Sequence, residues 1–266
     1  MDLGLVGKRA LVTGGSRGMG RAIAEALAAE GASVSLCARD GAAAQEAAAA
    51  IAVATGARVV AFQADTGSAE DVERLVADTV AALGGLDILV NNAARVGGTG
   101  GPDNLAQLNV AMIEEDVRVK VLGYLRAAKA AYPYMEAAGW GRIVNMDGMA
   151  ARNAAGISGG LRNAAVMNFT KVMSEELGPK GITVNAVHPS VTRTAGLINR
   201  LKGISEAKGI SIAEAEAGIA AGNAIKRLVD ETEVANVVAF LCSEQAGCIT
   251  GEAVAASGGN TRSVFY

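Results

Sequence analysis

The 266-residue chain is 51% apolar with a formal net charge of −3, enough apolar content to bury the core of one large α/β domain. That balance leaves no basic excess to neutralise a phosphate backbone, so nucleic acid is not an expected partner. There is no uncharged apolar run of membrane-spanning length, and Met1-Asp2-Leu3-Gly4 lacks the basic flank of a signal peptide. A cytoplasmic protein without a membrane partner is therefore expected. The three cysteines, Cys37, Cys242 and Cys248, have no ligand spacing, and His188 is the single histidine. They read as reduced thiols, with no metal site.

In chain order, apolar strand-length runs alternate with helix-length runs. The pattern predicts strands at 9–12, 33–37, 58–63, 88–90, 142–146, 183–187 and 253–256. Helices are predicted at 21–29, 41–54, 69–83, 106–138, 161–177 and 231–241. Most strands are continuous apolar runs rather than alternating ones, as burial under helices on both faces requires. The alanine run 42–54 is a strong helix former with Gly56 as its stop. The expected fold is α/β, a single Rossmann-type domain over 1–266 with a doubly wound parallel sheet. Segment 195–222 is polar, glycine-punctuated and follows a strand end, which suggests either a mobile helical flap over a substrate pocket or ordinary peripheral helices.

TGGSRGMG at 13–20 joins the first strand to the first helix. Glycines there let the backbone turn tightly and approach a pyrophosphate, whose charge the helix amino terminus stabilises. Gly14, Ser16, Arg17, Gly18, Met19 and Gly20 are the candidate contacts. Further stretches are Asp65 after the third strand, NNAA at 91–94, GRIVNM at 141–146, NFTK at 168–171, ITVNAVHPSVTRT at 182–194 and ITGEAVAASGG at 249–259. Together these resemble the short-chain dehydrogenase/reductase family from end to end. The resemblance implies adenine contact at Asp65, with Thr66 beside it, and a cofactor cleft lined by Asn91 and Ala93. It also implies nicotinamide carboxamide contacts at Pro189, Val191 and Thr194. Further, it implies a homo-oligomer, dimer or tetramer, through helices 106–138 and 161–177 and the last strand.

Cofactor choice follows from the end of the second strand, Leu36-Cys37-Ala38-Arg39. Ala38 offers no carboxylate to the adenosine ribose, whereas Arg39 and Arg17 can pair with a 2′-phosphate. NADP(H) is expected over NAD(H), unless Asp40 serves the ribose instead.

The family's reaction moves a hydride between nicotinamide and a carbonyl or alcohol, with tyrosine, lysine, serine and asparagine as its usual catalytic set. Set against that pattern, NAAVMNFTK at 163–171 puts Asn163 at the lysine position and Gly159 at the tyrosine position. Gly148, beside Asp147, stands for the serine. VRVKVLGYL at 117–125 puts Lys120 at the asparagine position, so lysine and asparagine have exchanged helices. Three readings follow: an oxidoreductase built on Lys120 and Asn163, with Asp147, Ser158, Arg162 or Tyr124 serving the substrate oxygen; a cofactor-binding enzyme of non-redox chemistry, with Lys120 or Arg162 stabilising an anion; or a non-catalytic sensor or partner. His188 reads as structural rather than catalytic, and Asp147 as either a turn residue or a chemical one. Arg152 and Arg162 read either as acidic-substrate ligands or as partners of carbonyls. Trp140 and Tyr132 read as packing residues. The substrate is a small molecule whose pocket walls fall at 95–104, 149–158 and the flap.

Overall fold

The structure is a computed structural model that describes residues 1–94, 105–153 and 156–260. The glycine-rich segment 96–101 and the pocket wall 95–104 lie outside the described residues.

Strands β1 (Arg9–Thr13), β2 (Ser33–Ala38), β3 (Val59–Gln63), β4 (Ile88–Asn91), β5 (Gly141–Met146), β6 (Ile182–Pro189) and β9 (Ala253–Ala256) form one sheet. Its order is β3-β2-β1-β4-β5-β6-β9, with every pairing parallel. The chain winds outward from β1 in one direction and then returns to start β4 on the other side. The switch point, and with it a crevice at the strand carboxyl ends, therefore falls between β1 and β4.

Helices cover both faces. On one, α1 (Gly18–Ala29), α2 (Gly41–Thr55) and α9 (Glu231–Leu241) bury Ile23, Leu27, Ile51, Val234 and Val238 against β1, β2 and β4. On the other, α3 (Ala69–Leu83) and α5 (Gly123–Ala138) bury Val72, Leu75, Ala131 and Met135. The expected stop at Gly56 operates, ending α2 at φ 72°, and Asp40 starts the helix by accepting from the Ala43 N–H. Cys37 and Cys242 are buried and Cys248 is exposed.

Two elements differ from expectation. The helix predicted over 106–138 is divided: a 3-10 turn (Leu105–Gln107), then α4 (Val110–Asp116), a π turn (Val117–Leu122), and α5. The Asn109 side chain accepts from the Met112 N–H and starts α4 afresh, a local capping choice that competes with continuing the helix. Segment 195–222 is more regular than its polarity suggested. It forms α7 (Ala195–Lys208) and α8 (Ile212–Ala220), which bury Leu197, Leu201, Ala215 and Ala220 in a small core of their own with Leu228. Thr194 caps α7, and Ser211 with Glu214 forms a capping box on α8. At its base β7 (Thr192–Arg193) pairs with β8 (Val229–Asp230), and Arg193 is ion-paired to Glu216. The remaining helix, α6 (Ile157–Leu177), packs along β6.

A polar network crosses the buried sheet end. Asn91 Nδ2 donates to Asn145 Oδ1 at 2.9 Å, and Asn145 Nδ2 donates to Thr170 Oγ1 at 2.9 Å, tying β4, β5 and α6 together. We expect Asn145→Ala to cost about 2–4 kcal/mol, because it removes the buried Asn91 and Thr170 contacts and leaves a cavity. Urea unfolding measures this, and a loss below about 0.5 kcal/mol would contradict it.

Candidate active site

At the switch point the β1–α1 turn is drawn against the end of β4. Gly14 has φ 68° and Gly18 φ 56°, left-handed values that favour glycine. Contact is tightest at Gly20, where an added Cβ would lie 2.2 Å from the Gly14 carbonyl oxygen and 2.4 Å from Asn92 Nδ2. Asn92 clamps the turn by donating to the carbonyls of Thr13 (3.0 Å) and Gly14 (3.2 Å). Thr13 Oγ1 in turn accepts the backbone N–H of Asn92 (2.9 Å) and of Ala93 (3.1 Å). Arg17 is the N-cap of α1, but no side chain caps that helix and no acid lies in its first turn. The first amides are thus left with neither intrahelical acceptor nor side-chain partner, which is how a helix terminus receives a phosphate. From the far side Thr194 covers the turn: a Cβ on Gly18 would meet its Cγ2 at 3.7 Å.

Farther along, a cavity of about 470 Å³ is lined by Arg39, Gln63, Ala64, Asp65, Asp71 and Arg74, within the size range of small-molecule sites. Asp65 Oδ1 accepts the Gly67 N–H at 2.9 Å, and Arg118 stands 3.8 Å from its other oxygen. Thr66 is buried beside it. Arg17 and Arg39 are exposed, and neither guanidinium has an ion-pair partner among the described residues. Asp40 is committed to capping α2.

The candidate chemical residues gather where the π turn faces β5 and α6. Lys120 Nζ donates to Asn163 Oδ1 at 2.7 Å, so the two residues that the sequence places on exchanged helices touch. Asp147 Oδ1 lies 3.8 Å from the same Nζ, and Asp147 Oδ2 lies 3.4 Å from His188 Nδ1. Burial lowers the proton affinity of Lys120, opposed chiefly by the Asp147 carboxylate. It raises that of Asp147, opposed chiefly by the Lys120 ammonium. His188 is pushed down to about 4 by burial, with Arg152 and Lys120 adding to the effect, and is therefore neutral near pH 7. On the neighbouring turn, Ser158 Oγ and Arg162 Nη1 both donate to Asp116 Oδ2, at 2.6 and 2.8 Å.

Other expectations resolve differently. The Asn91 carboxamide is spent inside the sheet on Asn145 and the Tyr124 carbonyl, so it offers the cleft only backbone. Tyr124 Oη donates to the Met146 carbonyl at 3.0 Å, and burial raises its pKa well above the phenol range. It is not placed to exchange protons with a substrate. Arg152 donates to the Ala253 carbonyl at 3.0 Å. Trp140 lies between two cations, with Lys8 Nζ 3.7 Å and the Arg142 guanidinium carbon 4.2 Å from its ring centre. Pro189 is the buried end of β6, and Val191 is exposed just beyond.

The sequence model of the family described as enoyl-(acyl carrier protein) reductase matches residues 14–261. A 3-oxoacyl-(acyl-carrier-protein) reductase from Aquifex aeolicus is 31% identical over 97% of this chain and 99% of its own length. The human dehydrogenase/reductase SDR family member 4 is 34% identical over 96% of this chain and 88% of its own length. L-Sorbose reductase from Gluconobacter frateurii, solved with NADPH and L-sorbose, superposes with a TM-score of 0.93 at 31% identity, covering 99% of this chain and 100% of that one. The chain belongs to the short-chain dehydrogenase/reductase family.

As a short-chain dehydrogenase/reductase it is an NAD(P)-dependent oxidoreductase, and the turn fits a dinucleotide: its backbone approach leaves no room for a Cβ at Gly20, and its amides are uncapped. Among short-chain dehydrogenase/reductase stretches the NNAA segment pointed to Asn91 and Ala93, yet Asn92 holds the turn. Asp116, which gathers Ser158 and Arg162, was also missed. Its one sequence signal is the helical spacing of four residues to Lys120, which puts both on one face.

Gly148 has an extended backbone, φ −177°, so its constraint is steric. A Cβ there would lie 2.7 Å from Asn163 Nδ2, pressing on the amide that holds Lys120. At Gly159 a Cβ would come no closer than 3.3 Å to Ala150 Cβ. We expect Gly148→Ala to lose about 1–2 kcal/mol of stability with the Lys120–Asn163 bond. Gly159→Ala, whose nearest contact is 3.3 Å rather than 2.7 Å, should lose less than Gly148→Ala. Denaturant unfolding of the two variants compares them, and equal losses would contradict the interlock.

Proposed function

We propose that this short-chain dehydrogenase/reductase reduces a small carbonyl compound, or oxidises the corresponding alcohol, with NADP(H) and a non-standard active site. The observation that carries the reading is the 2.7 Å contact between Lys120 and Asn163. The exchange of helices keeps an ammonium and a carboxamide side by side, while Gly148 and Gly159 bring no hydroxyl. When bound, the cofactor supplies the hydride of the reaction. In this reading Gly14, Ser16, Arg17, Gly18, Met19 and Gly20 hold its diphosphate. Asp65 and Thr66 border the adenine, the backbones of Asn91 and Ala93 line the cleft, and Pro189, Val191 and Thr194 meet the carboxamide. Lys120 and Asn163 face the nicotinamide end, and Asp147, Ser158 and Arg162 shape the substrate side.

Preference for NADP(H) over NAD(H) rests on Arg39 and Arg17, exposed and without ion-pair partners among the described residues, and on Asp40 being committed to its helix. The sorbose reductase was solved with NADPH, and a 32% identical Bacillus subtilis relative is named an NADPH-dependent reductase. Helices α7 and α8 act as the substrate flap, starting beside the turn at Thr194. The chain works in the cytoplasm as a dimer or tetramer. Leu122, Leu161 and Val172 stand exposed on the helical surface, which supports that helical face as a contact. No helix of the described residues is long and apolar enough to cross a membrane.

Calorimetric titration tests the cofactor assignment. NADPH should bind at least about tenfold tighter than NADH, and Arg39→Ala should erase about 1.4 kcal/mol of that difference by removing a charge-assisted contact. Equal or tighter NADH binding would refute the preference. A carbonyl panel followed by NADPH absorbance tests turnover. Tight NADPH binding with no consumption across hydroxyketones, ketoses and 3-oxoacyl thioesters would favour the sensor reading, for which the missing hydroxyl at Gly159 speaks.

A further inference from the structure

Lys120, Asp147 and His188 come from three elements, the π turn, the end of β5 and β6, and meet in the interior. Their side chains are 6%, 0% and 0% exposed. Consecutive contacts are 3.8 Å from Lys120 Nζ to Asp147 Oδ1 and 3.4 Å from Asp147 Oδ2 to His188 Nδ1. Neither carboxylate oxygen of Asp147 and neither ring nitrogen of His188 has a side-chain hydrogen-bond partner among the described residues. A buried ion pair kept for stability alone needs close geometry to offset desolvation, and this one is long, at 3.8 Å. Such an arrangement suits a carboxylate that tunes the charge of a neighbouring amine. Only Lys120 retains any side-chain exposure, so it is the outer member; Asp147 is the middle and His188 the inner one.

The charges around each member are accounted for. Lys120 faces Asp147 from β5, Arg162 and the Asn163 amide from α6, Asp116 from its own helix, and the Tyr124 ring at 6.0 Å. Asp147 faces Lys120, Arg152 and the Gly148 N–H as well as His188. Burial moves the lysine down and the carboxyl up, bringing their proton affinities toward each other. His188 stays neutral and backs the carboxyl without carrying charge.

We propose that Lys120 is the acid–base group for the substrate oxygen in place of a tyrosine hydroxyl, and that Asp147, backed by His188, is a positioning residue whose carboxylate sets the proton affinity of the lysine. The proposal rests on the oxidoreductase reading above. In reduction, the substrate oxygen gains the Lys120 proton as the carbonyl carbon gains the hydride that the reduced cofactor supplies. An alcohol, an oxidised cofactor and a neutral amine result. The amine then regains its proton from solvent, to which Lys120 alone of the three is exposed, and the Asp147 carboxylate favours that return.

The test begins with cofactor-free protein, following the Lys120 amine by NMR of 15N-labelled lysine. Lys120 should titrate below the ordinary lysine range. In Asp147→Asn the titration should fall further by about one unit, tenfold in proton affinity, because the carboxylate that favoured the ammonium is gone. Lys120→Met provides the reciprocal measurement and covers the case in which Asp147→Asn does not fold: the 13C-labelled Asp147 carboxyl should titrate higher once its cation is removed. In the NADPH-loaded enzyme, carbonyl reduction should decline as pH rises through the Lys120 titration, and that limb should move to lower pH in Asp147→Asn while NADPH affinity changes less than about threefold. Titrations of Lys120 and Asp147 that ignore each other would overturn the positioning role of Asp147 alone, whatever the protein reduces. Coupled titrations in a protein that binds NADPH but reduces no carbonyl would overturn the substrate oxygen as the proton's destination, and with it the oxidoreductase reading.

Discussion

Everything at the cofactor end depends on how closely the β1–α1 turn approaches its own first helical turn. The Gly14 carbonyl sits where a Gly20 side chain would begin, and Asn92 fastens that carbonyl from β4. This closeness brings the uncapped amides of α1 to the switch point of the sheet, where a diphosphate can be met by backbone rather than by side chains. Thr13 joins in by accepting the amides of Asn92 and Ala93, so the two strands flanking the switch point are locked to one another before any ligand arrives. Preorganisation of this kind removes an ordering cost that a flexible loop would impose on binding.

At the other end of the cleft, the π turn over Val117–Leu122 points Lys120 toward α6 and β5 while Asp116, one turn earlier, collects Ser158 and Arg162. Wider turns of this type often mark functional positions in otherwise regular helices. The Lys120–Asn163 contact and the glycine at 148 are interdependent, since Asn163 occupies the space that a side chain at 148 would need. Lys120, Asn163 and Gly148 are therefore one structural unit with its own steric requirements.

Much of the fold was legible because its signals are local. Continuous apolar strands and the Gly56 stop each act within a few residues, and the parallel sheet follows from the alternation of strand and helix runs. The glycine turn was legible for the same reason. What escaped was decided across the sheet: the Asn91 side-chain amide donates to Asn145 on the neighbouring strand, and Tyr124 donates to the Met146 carbonyl. Segment 195–222 read as only weakly helical because α7 and α8 stabilise one another through a small shared core rather than through a strong periodic stripe. The contact of Asp147 with His188 joins positions 147 and 188, a distance along the chain over which sequence spacing carries no information.

A structure of the protein crystallised with NADPH tests the central claim most directly. The account predicts diphosphate oxygens within hydrogen-bond distance of the backbone amides of Gly18–Gly20, the 2′-phosphate against Arg39, and the nicotinamide end turned toward Lys120. A dinucleotide lying elsewhere, or a diphosphate held by side chains with the glycine-turn amides left to water, would contradict it.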